Sequence, residues 1–501
     1  MLRASMTTPV SRVPVLALAL SLVALSACDK EKPAEGEAKS DEKKADKADD
    51  KKAVDAGGDT KQADATKTDE VKPDGGGENP TPTPTPTPTA SGGDGVAYVA
   101  VNNRGIAKLD ASGWSLVVDD KRAYYNKMFL GADGNVYVVD FEAVKKIDGS
   151  SVTEIAKFDY NTFSGASYIA TSKDGATMFG AAYNKFGTFS GGKWASAELT
   201  TIDAALDSLT GVATAGDGTV WVTGSKTIHF NKGNAGTWAK LDISSLGEHF
   251  FFSHLSGSPT GDVFVTNGQH LVKLTPEKPE KIEFKVEGNS WASYSADLAY
   301  NSSGHVLAAS LSCDLVRVDP ANSGEQWIAT KKDYNCLTLQ AVALDNQNRA
   351  WVSSREGLSV VGADKTAMEY PNSTVPQLVG SYVTDIVVVG NGPALPAAGP
   401  VQTGGVTGKV LVEGTAVANS KIEMCASPSW GGSQPCFDSK VKFASTTNDK
   451  GEFTFENVPV GNYTVSVEIS GKWQMYTLSN MATEMKVGST YDVGSVKFNA
   501  M

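Results

Sequence analysis

Between residues 95 and 352 the chain repeats one pattern of polar and apolar positions seven times. Each copy is a polar turn, mostly ending in Gly, followed by apolar residues at alternating positions. The residues at the ends of these turns are Gly95, Gly134, Gly175, Gly218, Gly261, Gly304 and Asn348. The steps between them are 39, 41, 43, 43, 43 and 44 residues. Alternation of this kind is typical of β-strands, so the pattern predicts an array of similar β-rich units.

A period of about 42 residues without a helical pattern predicts a β-propeller, in which each copy forms one four-stranded blade. The fourth copy contains four strand-like segments. They are residues 209–215, 219–223, 227–231 and 237–242. The first segment is small and apolar, as the crowded innermost strand of a blade should be. Seven copies therefore predict an all-β fold with a seven-bladed propeller over residues 95–392.

The first copy lacks an innermost strand, because the fold begins directly at the Gly95 turn. The missing segment is found at the other end of the array, where residues 382–389 are strongly apolar. We therefore predict that residues 382–389 complete the first blade beside residues 96–101. Closing the ring in this way removes open sheet edges, which otherwise invite aggregation.

The run Asp217-Gly218-Thr219-Val220-Trp221-Val222 and its counterparts resemble the repeats of two propeller families, the two-component-regulator type and the streptogramin-lyase-like type. The resemblance covers about 300 residues and implies the fold rather than an activity. The lyase relatives use a metal-supported histidine site. The histidines of this chain, which show no metal-ligand spacing, are His229, His249, His254, His270 and His305. Gluconolactonase-like propellers hold a metal through Glu, Asn and Asp, and no such set stands out. We predict no catalytic residue, no metal and no cofactor.

The candidate ligand site is the propeller face where each outermost strand connects to the next innermost strand. These connections, which include Tyr124 and Tyr160, are rich in aromatic and amide side chains. Aromatic faces stack on rings, and amides supply directional hydrogen bonds. The predicted ligand-binding rim consists of Tyr125, Asn126, Tyr168, His254, Trp291, Tyr294, Tyr334 and Tyr382. The alternative is that these side chains pack between neighbouring blades.

The five cysteines divide into one and four. Cys313 and Cys336 fall on the same predicted face in adjacent blades, and in an exported protein they favour a disulfide. A catalytic thiol is the alternative, but no His and Asp pattern accompanies either cysteine. Cys425 and Cys436 flank a loop rich in Ser, Gly and Pro, where a second disulfide is expected.

A linker over residues 393–403, marked by Pro393, Pro396 and Pro400, precedes a second domain over residues 404–501. The run from Asn448 to Val465 contains the residues Gly451, Phe453, Phe455, Pro459, Gly461 and Tyr463. This run closely resembles the carboxypeptidase regulatory-like family. The resemblance implies a small transthyretin-like β-sandwich that accompanies catalytic or binding domains and is not itself catalytic.

Residues 1–27 have the pattern of an export signal, with Arg3 and Arg12 before a short apolar run. The run ends in Leu25-Ser26-Ala27-Cys28, which resembles the lipobox of bacterial lipoproteins. The resemblance implies that the Cys28 thiol is diacylated and that the chain is cut before Cys28. The alternative is an ordinary secretory signal. Lipid-anchored, extracytoplasmic placement in a bacterial cell envelope, periplasmic or on the cell surface, is the prediction.

Residues 28–94 form a predicted disordered tether. Positions 29–79 hold 16 acidic and 11 basic residues and no aromatic residue, so they cannot bury enough apolar surface to fold. A single charged helix is the alternative, but several glycines interrupt it. Five Pro-Thr pairs over residues 80–89 then predict an extended polyproline II spacer.

The formal net charge of −12 argues against general nucleic-acid binding, which requires a basic surface. The tether carries −5 and the signal +2, and the remaining −9 is spread over about 400 residues, so the acidity says little about other partners. We predict a lipid-anchored envelope protein, attached to the membrane, whose propeller binds an unknown ligand or envelope protein without catalysis. The alternative is a propeller lyase or lactonase that acts on an extracellular glycoside or lactone.

Overall fold

The computed structural model describes the chain from Asp94, with short gaps. The described residues are 94–120, 122, 124–232, 237–246, 252, 254–258, 261–266, 270–282, 295–310, 312–322, 326–336, 339–354, 357–379, 383–426, 434–437, 439, 441–478, 481 and 485–498. The predicted signal peptide, the lipidation site Cys28 and almost all of the predicted tether lie outside these residues.

The described residues up to Pro393 form strands β1 to β28 and three short 3-10 helices. The first strands are β1 (Asp94–Val101), β2 (Gly105–Asp110), β3 (Gly113–Asp119), β4 (Lys127–Leu130), β5 (Val136–Val139), β6 (Ala143–Asp148), β7 (Ser151–Lys157), β8 (Tyr168–Thr171), β9 (Met178–Ala182), β10 (Lys185–Ser190), β11 (Lys193–Glu198), β12 (Gly211–Thr214), β13 (Val220–Thr223), β14 (Ile228–Asn231) and β15 (Ala239–Lys240). The next are β16 (His254–Gly257), β17 (Val263–Thr266), β18 (Leu271–Leu274), β19 (Pro279–Ile282), β20 (Ser295–Tyr300), β21 (Val306–Ser310), β22 (Leu315–Val318), β23 (Gln326–Ala329), β24 (Leu339–Leu344), β25 (Ala350–Ser354), β26 (Gly357–Val361), β27 (Ala367–Pro371) and β28 (Val383–Pro393). The helices are Leu199–Thr201, Ser244–Leu246 and Pro376–Leu378.

These strands form four-stranded antiparallel sheets that follow one another along the chain. Sheet 1 has the order β28-β1-β2-β3, and sheets 2 to 7 are β4–β7, β8–β11, β12–β15, β16–β19, β20–β23 and β24–β27. In sheet 4 every strand falls within the segment predicted for it. The fold is thus all-β and propeller-like.

The predicted closure of sheet 1 is confirmed. Strand β28 pairs antiparallel with β1, with Val389 opposite Val96 and Val383 opposite Val101. The last strand of the array therefore supplies the innermost strand of its first sheet. Residue 382, the first of the predicted segment, lies outside the described residues.

Buried clusters between neighbouring sheets hold the array together. Trp221 of β13 is almost fully buried and packs against Val263 and Val265 of sheet 5. Its neighbour Val222 points the other way, into a cluster shared with Phe179 of sheet 3. Because successive residues of a strand face opposite sides, these second strands are buried on both faces. Equivalent clusters join every successive pair of sheets, including sheet 7 to sheet 1.

The described residues after Pro393 form two more four-stranded sheets. Their strands are β29 (Thr403–Val412), β30 (Thr415–Ala416), β31 (Lys421–Cys425), β32 (Lys442–Thr446), β33 (Glu452–Pro459), β34 (Thr464–Ile469), β35 (Lys472–Thr477) and β36 (Thr490–Phe498). Sheet 8 has the order β30-β29-β33, with β36 parallel to β29, and sheet 9 has the order β32-β31-β34-β35. The two sheets share one hydrophobic core, which includes Phe453, Phe455, Tyr463 and Val465 of the run that carried the family resemblance.

The segment between the two sets of sheets is bonded to sheet 7. The hydroxyl of Tyr370 donates to the carbonyl of Pro396 at 2.7 Å. The backbone N–H of Gln402 donates to the carbonyl of Ser373 at 2.8 Å. Residues 393–403 are therefore held against the outer strand of sheet 7 rather than hanging free.

Candidate functional site

A central cavity of about 260 Å³ is lined by the first strands of sheets 1 to 7. It is bordered by β4, β8, β12, β16, β20, β24 and β28, so all seven sheets contribute to one space. Lys127 and Tyr168 are the first residues of β4 and β8, and Asp297 and Asp385 are the third residues of β20 and β28. These four polar side chains therefore gather where the innermost strands of their sheets begin. That end of the cavity lies on the propeller face predicted to carry the ligand site.

Lys127 bridges two carboxylates at this end of the cavity. Its Nζ lies 3.4 Å from Asp297 Oδ1 and 3.3 Å from Asp385 Oδ2. The Asp297 and Asp385 side chains are only 8% and 3% exposed, and Lys127 is 33% exposed. Because the three residues belong to sheets 2, 6 and 1, the lysine side chain links sheets that are not all neighbours. We call Lys127, Asp297 and Asp385 the charged cluster.

Both carboxylates of the charged cluster are also fixed by backbone N–H groups. Asp385 accepts hydrogen bonds from Met128 at 2.7 Å and from Ile386 at 2.8 Å. Asp297 accepts hydrogen bonds from Leu298 at 3.0 Å and Val342 at 3.1 Å. Each aspartate thus bonds to its own strand and to the first strand of the next sheet, which compensates part of the cost of burying its charge.

The electrostatics of the charged cluster follow from burial and proximity. Burial raises the pKa of Asp385 to about 6, against the effect of the Lys127 ammonium, and the nearby Asp297 carboxylate adds to the increase. Burial alone would lower the pKa of Lys127, but the two carboxylates outweigh it and the pKa is raised. Lys127 therefore stays protonated at neutral pH, whereas the pKa of Asp385 is raised toward neutral pH.

Among the predicted rim residues that the structure describes, Tyr168 alone lines this cavity. Burial raises the pKa of its hydroxyl. Lys127 lowers this pKa and Asp297 raises it, both by less than burial does. Phe129, two residues after Lys127 on β4, also lines the space. Its ring stacks on Tyr137 in the cluster between sheets 2 and 3, with ring centroids 5.2 Å apart. The cavity thus has aromatic residues in its lining next to its charged end.

The other described rim residues are distributed differently. Tyr125 is 6% exposed and lies in the cluster between sheets 1 and 2. Tyr334 is 4% exposed, and its hydroxyl donates to the carbonyl of Cys313 at 2.6 Å. Asn126 is exposed, and His254, the first residue of β16, is half-buried. Tyr125 and Tyr334 therefore expose little surface to a ligand. They pack between neighbouring sheets, which was the alternative to a place on the rim. Trp291, Tyr294 and Tyr382 lie outside the described residues.

Exposed aromatic side chains stand on the connections of sheets 2 and 3. Tyr124 and Phe141 stack with ring centroids 5.1 Å apart, and the Tyr160 hydroxyl donates to the carbonyl of Phe141 at 3.2 Å. Tyr160 is 71% exposed. The accessible aromatic surface of these sheets is thus carried by Tyr124 and Tyr160, which belong to the predicted connections, and by Phe141 and Tyr183, which the sequence did not single out.

Both predicted disulfides are present. Cys313 is bonded to Cys336 in the cluster between sheets 6 and 7, and Cys425 is bonded to Cys436 beside the core of sheets 8 and 9. All four cysteines are buried. Neither pair supplies a free thiol for nucleophilic chemistry.

Histidine and acidic side chains do not converge on a metal site in the described part of the chain, where no group of three or more His, Cys, Asp or Glu could hold an ion. His229 is buried in β14, and its Nε2 lies 3.0 Å from Asp203 Oδ2. Burial lowers the pKa of His229 in spite of this carboxylate, so at neutral pH it is an uncharged core residue. Among residues with described placement, no helix is long and apolar enough to cross a membrane.

The charged cluster was missed by sequence reasoning. The sequence does hold a signal for it. Each of the three residues places a charge in the innermost strand of its sheet, where small and apolar residues are expected. Lys127 and Asp297 are 170 residues apart in sequence, however, and only the closed ring brings them together.

No protein-family model matches this chain, and no curated protein matches it. Similar solved structures include PorZ, a surface component of the type-IX secretion system of Porphyromonas gingivalis, at 16% identity and TM-score 0.42, covering 76% of this chain and 64% of that one. Another is the extracellular domain of the putative one component system BT4673 from B. thetaiotaomicron, at 11% identity and TM-score 0.42, covering 77% and 57%. A third is a catalytically inactive virginiamycin B lyase from Staphylococcus aureus with quinupristin, at 15% identity and TM-score 0.38, covering 49% and 83%.

This chain therefore spans less than two thirds of the length of the first two structures. At these identities and with TM-scores below 0.5, the likenesses say nothing of this chain's activity, and its propeller-like architecture rests on the sheets described above.

Proposed function

We propose that this chain is a lipid-anchored protein of a bacterial cell envelope whose seven-bladed propeller binds a ligand or a protein partner without catalysis. In this proposal Cys28 carries the lipid, residues 28–94 are the tether, and residues 95–392 are the propeller. Residues 393–403 link it to a β-sandwich over residues 404–501, which plays an accessory role. The arrangement of sheets 1 to 7 and the common core of sheets 8 and 9 support this division.

The central cavity is the observation that carries the binding function. It is concave, most of its lining residues are apolar, and its charged side chains, those of Lys127, Asp297 and Asp385, converge at one end, which is the usual make-up of a small-molecule site. The exposed rings of Tyr124, Phe141 and Tyr160 lie on connections of the same face and extend the surface on which a larger partner would rest.

The bonding of the charged cluster favours binding over catalysis. A general acid or base must be free to exchange a proton with a substrate. Here each carboxylate is held by two backbone N–H groups and by Lys127. Such groups orient a ligand well, but moving a proton through them would break bonds that hold the sheets together.

One observation favours the alternative, a lyase or lactonase. Asp385 has a pKa raised to about 6 by burial, and carboxylates shifted in this way are common among catalytic acids and bases. Turnover of model lactones or glycosides by the purified chain, abolished in Asp385→Asn, would establish the alternative and end the non-catalytic proposal.

Binding in the cavity is tested with a fragment library screened by ligand-detected NMR on the full chain. We expect hits whose signals are lost in Tyr168→Ala, because that change removes a wall of the cavity. Tyr476→Ala is the control, since Tyr476 is a partly exposed tyrosine on β35, outside the propeller. Absence of hits, or hits that ignore Tyr168, would count against a ligand site in the channel.

Lipid anchoring is tested separately by metabolic labelling with an alkyne fatty acid in a bacterial host. The wild-type chain should incorporate the label and sediment with membranes, whereas Cys28→Ala should do neither. Incorporation that persists in Cys28→Ala would refute this anchor.

A further inference from the structure

The charge balance of the cavity points to the class of ligand that it accepts. Of the described residues that line it, Lys127, Asp297 and Asp385 alone carry side chains that are charged at neutral pH. One ammonium and two carboxylates leave a net charge of −1 at this end of the cavity. An anion entering this space would meet a lysine whose charge is already balanced, together with a surplus carboxylate, so the lysine does not make an anion site.

The carboxylates retain capacity to accept further hydrogen bonds. Among the described residues, Asp297 Oδ2 accepts one hydrogen bond, from Val342, and Asp385 Oδ1 accepts one, from Ile386. A carboxylate oxygen has two lone pairs, so each of these atoms has room for one more donor. A ligand that brings N–H donors with a positive charge satisfies both the hydrogen bonds and the charge.

The rest of the lining suits an apolar or aromatic body. Phe129 and Tyr168, two partly buried aromatic residues, line the cavity on the strands next to its charged end, and small residues such as Ala170 and Ala299 widen the space. Aromatic faces attract cations, and they do so more strongly when solvent is excluded. The volume of about 260 Å³ lies just below the range for pockets that hold drug-sized molecules, so the apolar body of the ligand is of the size of a single ring.

We propose that the central cavity binds a small organic monocation, a primary amine whose ammonium group lies beside Asp297 and Asp385 and whose apolar body rests on Phe129 and Tyr168. This inference rests on the proposed function, in which the cavity is a ligand site, and adds the chemistry of the ligand. Binding of one positive charge would bring the net charge of the cavity to zero.

Three probes of the same size and shape test the role of charge. They are cyclohexylamine, cyclohexanol and cyclohexanecarboxylate, titrated into the full chain at pH 7.5. Cyclohexylamine should bind at least tenfold more tightly than cyclohexanol, and cyclohexanecarboxylate should bind most weakly. An equal or reversed order would overturn the inference.

Two variants assign the preference to the charged cluster. Asp297→Asn keeps a side-chain oxygen for the Val342 N–H but removes the charge, so cyclohexylamine should bind about tenfold more weakly while cyclohexanol changes less than twofold. Asp262→Asn is the control, because Asp262 pairs with Lys273 at 2.8 Å and does not line this cavity. Lys127→Met removes the ammonium that balances one carboxylate. Even if Asp385 takes up a proton in its place, the cavity keeps a net charge of −1, so cyclohexylamine should bind at least as tightly. Weaker amine binding to a folded Lys127→Met protein would contradict the assignment.

The outcomes separate the inference from the proposed function. If cyclohexanol binds as tightly as cyclohexylamine and Tyr168→Ala abolishes both, the cavity remains a ligand site and the cationic preference is wrong. If none of the three probes binds, the cationic inference fails. Should the fragment library also give no cavity hit, the proposed function fails with it.

Discussion

The ammonium of Lys127 lies 3.3 Å from Asp385 Oδ2, and the same oxygen accepts the N–H of Met128 at 2.7 Å. Sheet 2 is thereby bonded to β28, the strand that closes sheet 1. The charged cluster thus has two roles, because it shapes one end of the cavity and fastens the junction where the two ends of the array meet.

Replacing Lys127 with Met should destabilise the chain by about 3 kcal/mol, because two buried carboxylates would lose their shared cation. Lys232→Met is the matched control. Its partner Glu277 is 3.9 Å away and both side chains are mostly exposed, so the loss should stay below about 1 kcal/mol. Urea denaturation followed by tryptophan fluorescence measures both. Equal losses would show that the charged cluster has no special weight.

The titration of Asp385 should make stability fall with rising pH. Its pKa is about 6 in the folded chain and near 3.8 when unfolded, so the folded state holds the proton more tightly. The stabilisation is complete below about pH 4 and is lost as the pH rises through 6. It amounts to at most about 3 kcal/mol.

Asp385→Asn should remove this component. The difference in unfolding free energy between wild type and variant, measured by urea denaturation at several pH values from 4 to 7, should shift in favour of the variant as the pH rises. A difference that stays constant across the range would show that Asp385 does not titrate there.

Closure of sheet 1 should be sensitive to a single methyl group at Gly95. A Cβ at this position would lie 2.4 Å from the carbonyl oxygen of Val389 and from the nitrogen of Gly392. Both atoms belong to the backbone of β28, so neither can turn aside, and Gly95→Ala should cost at least 2 kcal/mol, roughly the middle of the range for overpacking. Gly461→Ala is the control, because its nearest contact is the side chain of Tyr463 at 3.5 Å. Thermal unfolding of both variants provides the comparison.

Removing the Cys313–Cys336 disulfide by a double alanine substitution should cost about 3 kcal/mol. Its sequence separation is 23, against 11 for Cys425–Cys436, so loop closure predicts about 0.6 kcal/mol less for the second bond. Denaturation of the two double variants, each compared with the oxidised wild type, gives the two values. A larger loss for Cys425–Cys436 would mean that native packing outweighs loop length.

The strands and their pairing could be predicted because both depend on local sequence and on counting. The turn before Val220 and the alternation after it recur with a nearly constant step, and the missing inner strand of the first copy left residues 382–389 without another place. Likewise the four cysteines outside the signal region divided into two pairs by loop length and position.

The charged cluster could not be predicted in the same way. Lys127, Asp297 and Asp385 occur in different local sequences. The sequence around any one of them does not indicate that the other two lie close to it in the fold. Tyr125 and Tyr334 show the converse limit, because an aromatic residue in a connection can turn inward and fill the gap between sheets. Which way it turns depends on neighbours that are distant in sequence.

The pairing of β1 with β28 also has a mechanical consequence. Asp94, the first residue of β1, lies opposite Pro393, the last residue of β28. The array of sheets 1 to 7 therefore starts and ends at the same end of one antiparallel pair. Force applied between these two points would peel the strands apart one hydrogen bond at a time instead of shearing all of them at once. The hydrogen bonds of Pro396 and Gln402 to Tyr370 and Ser373 lie between Pro393 and the C-terminal sheets. A force applied through those sheets therefore loads these bonds before it loads the pairing of β1 with β28.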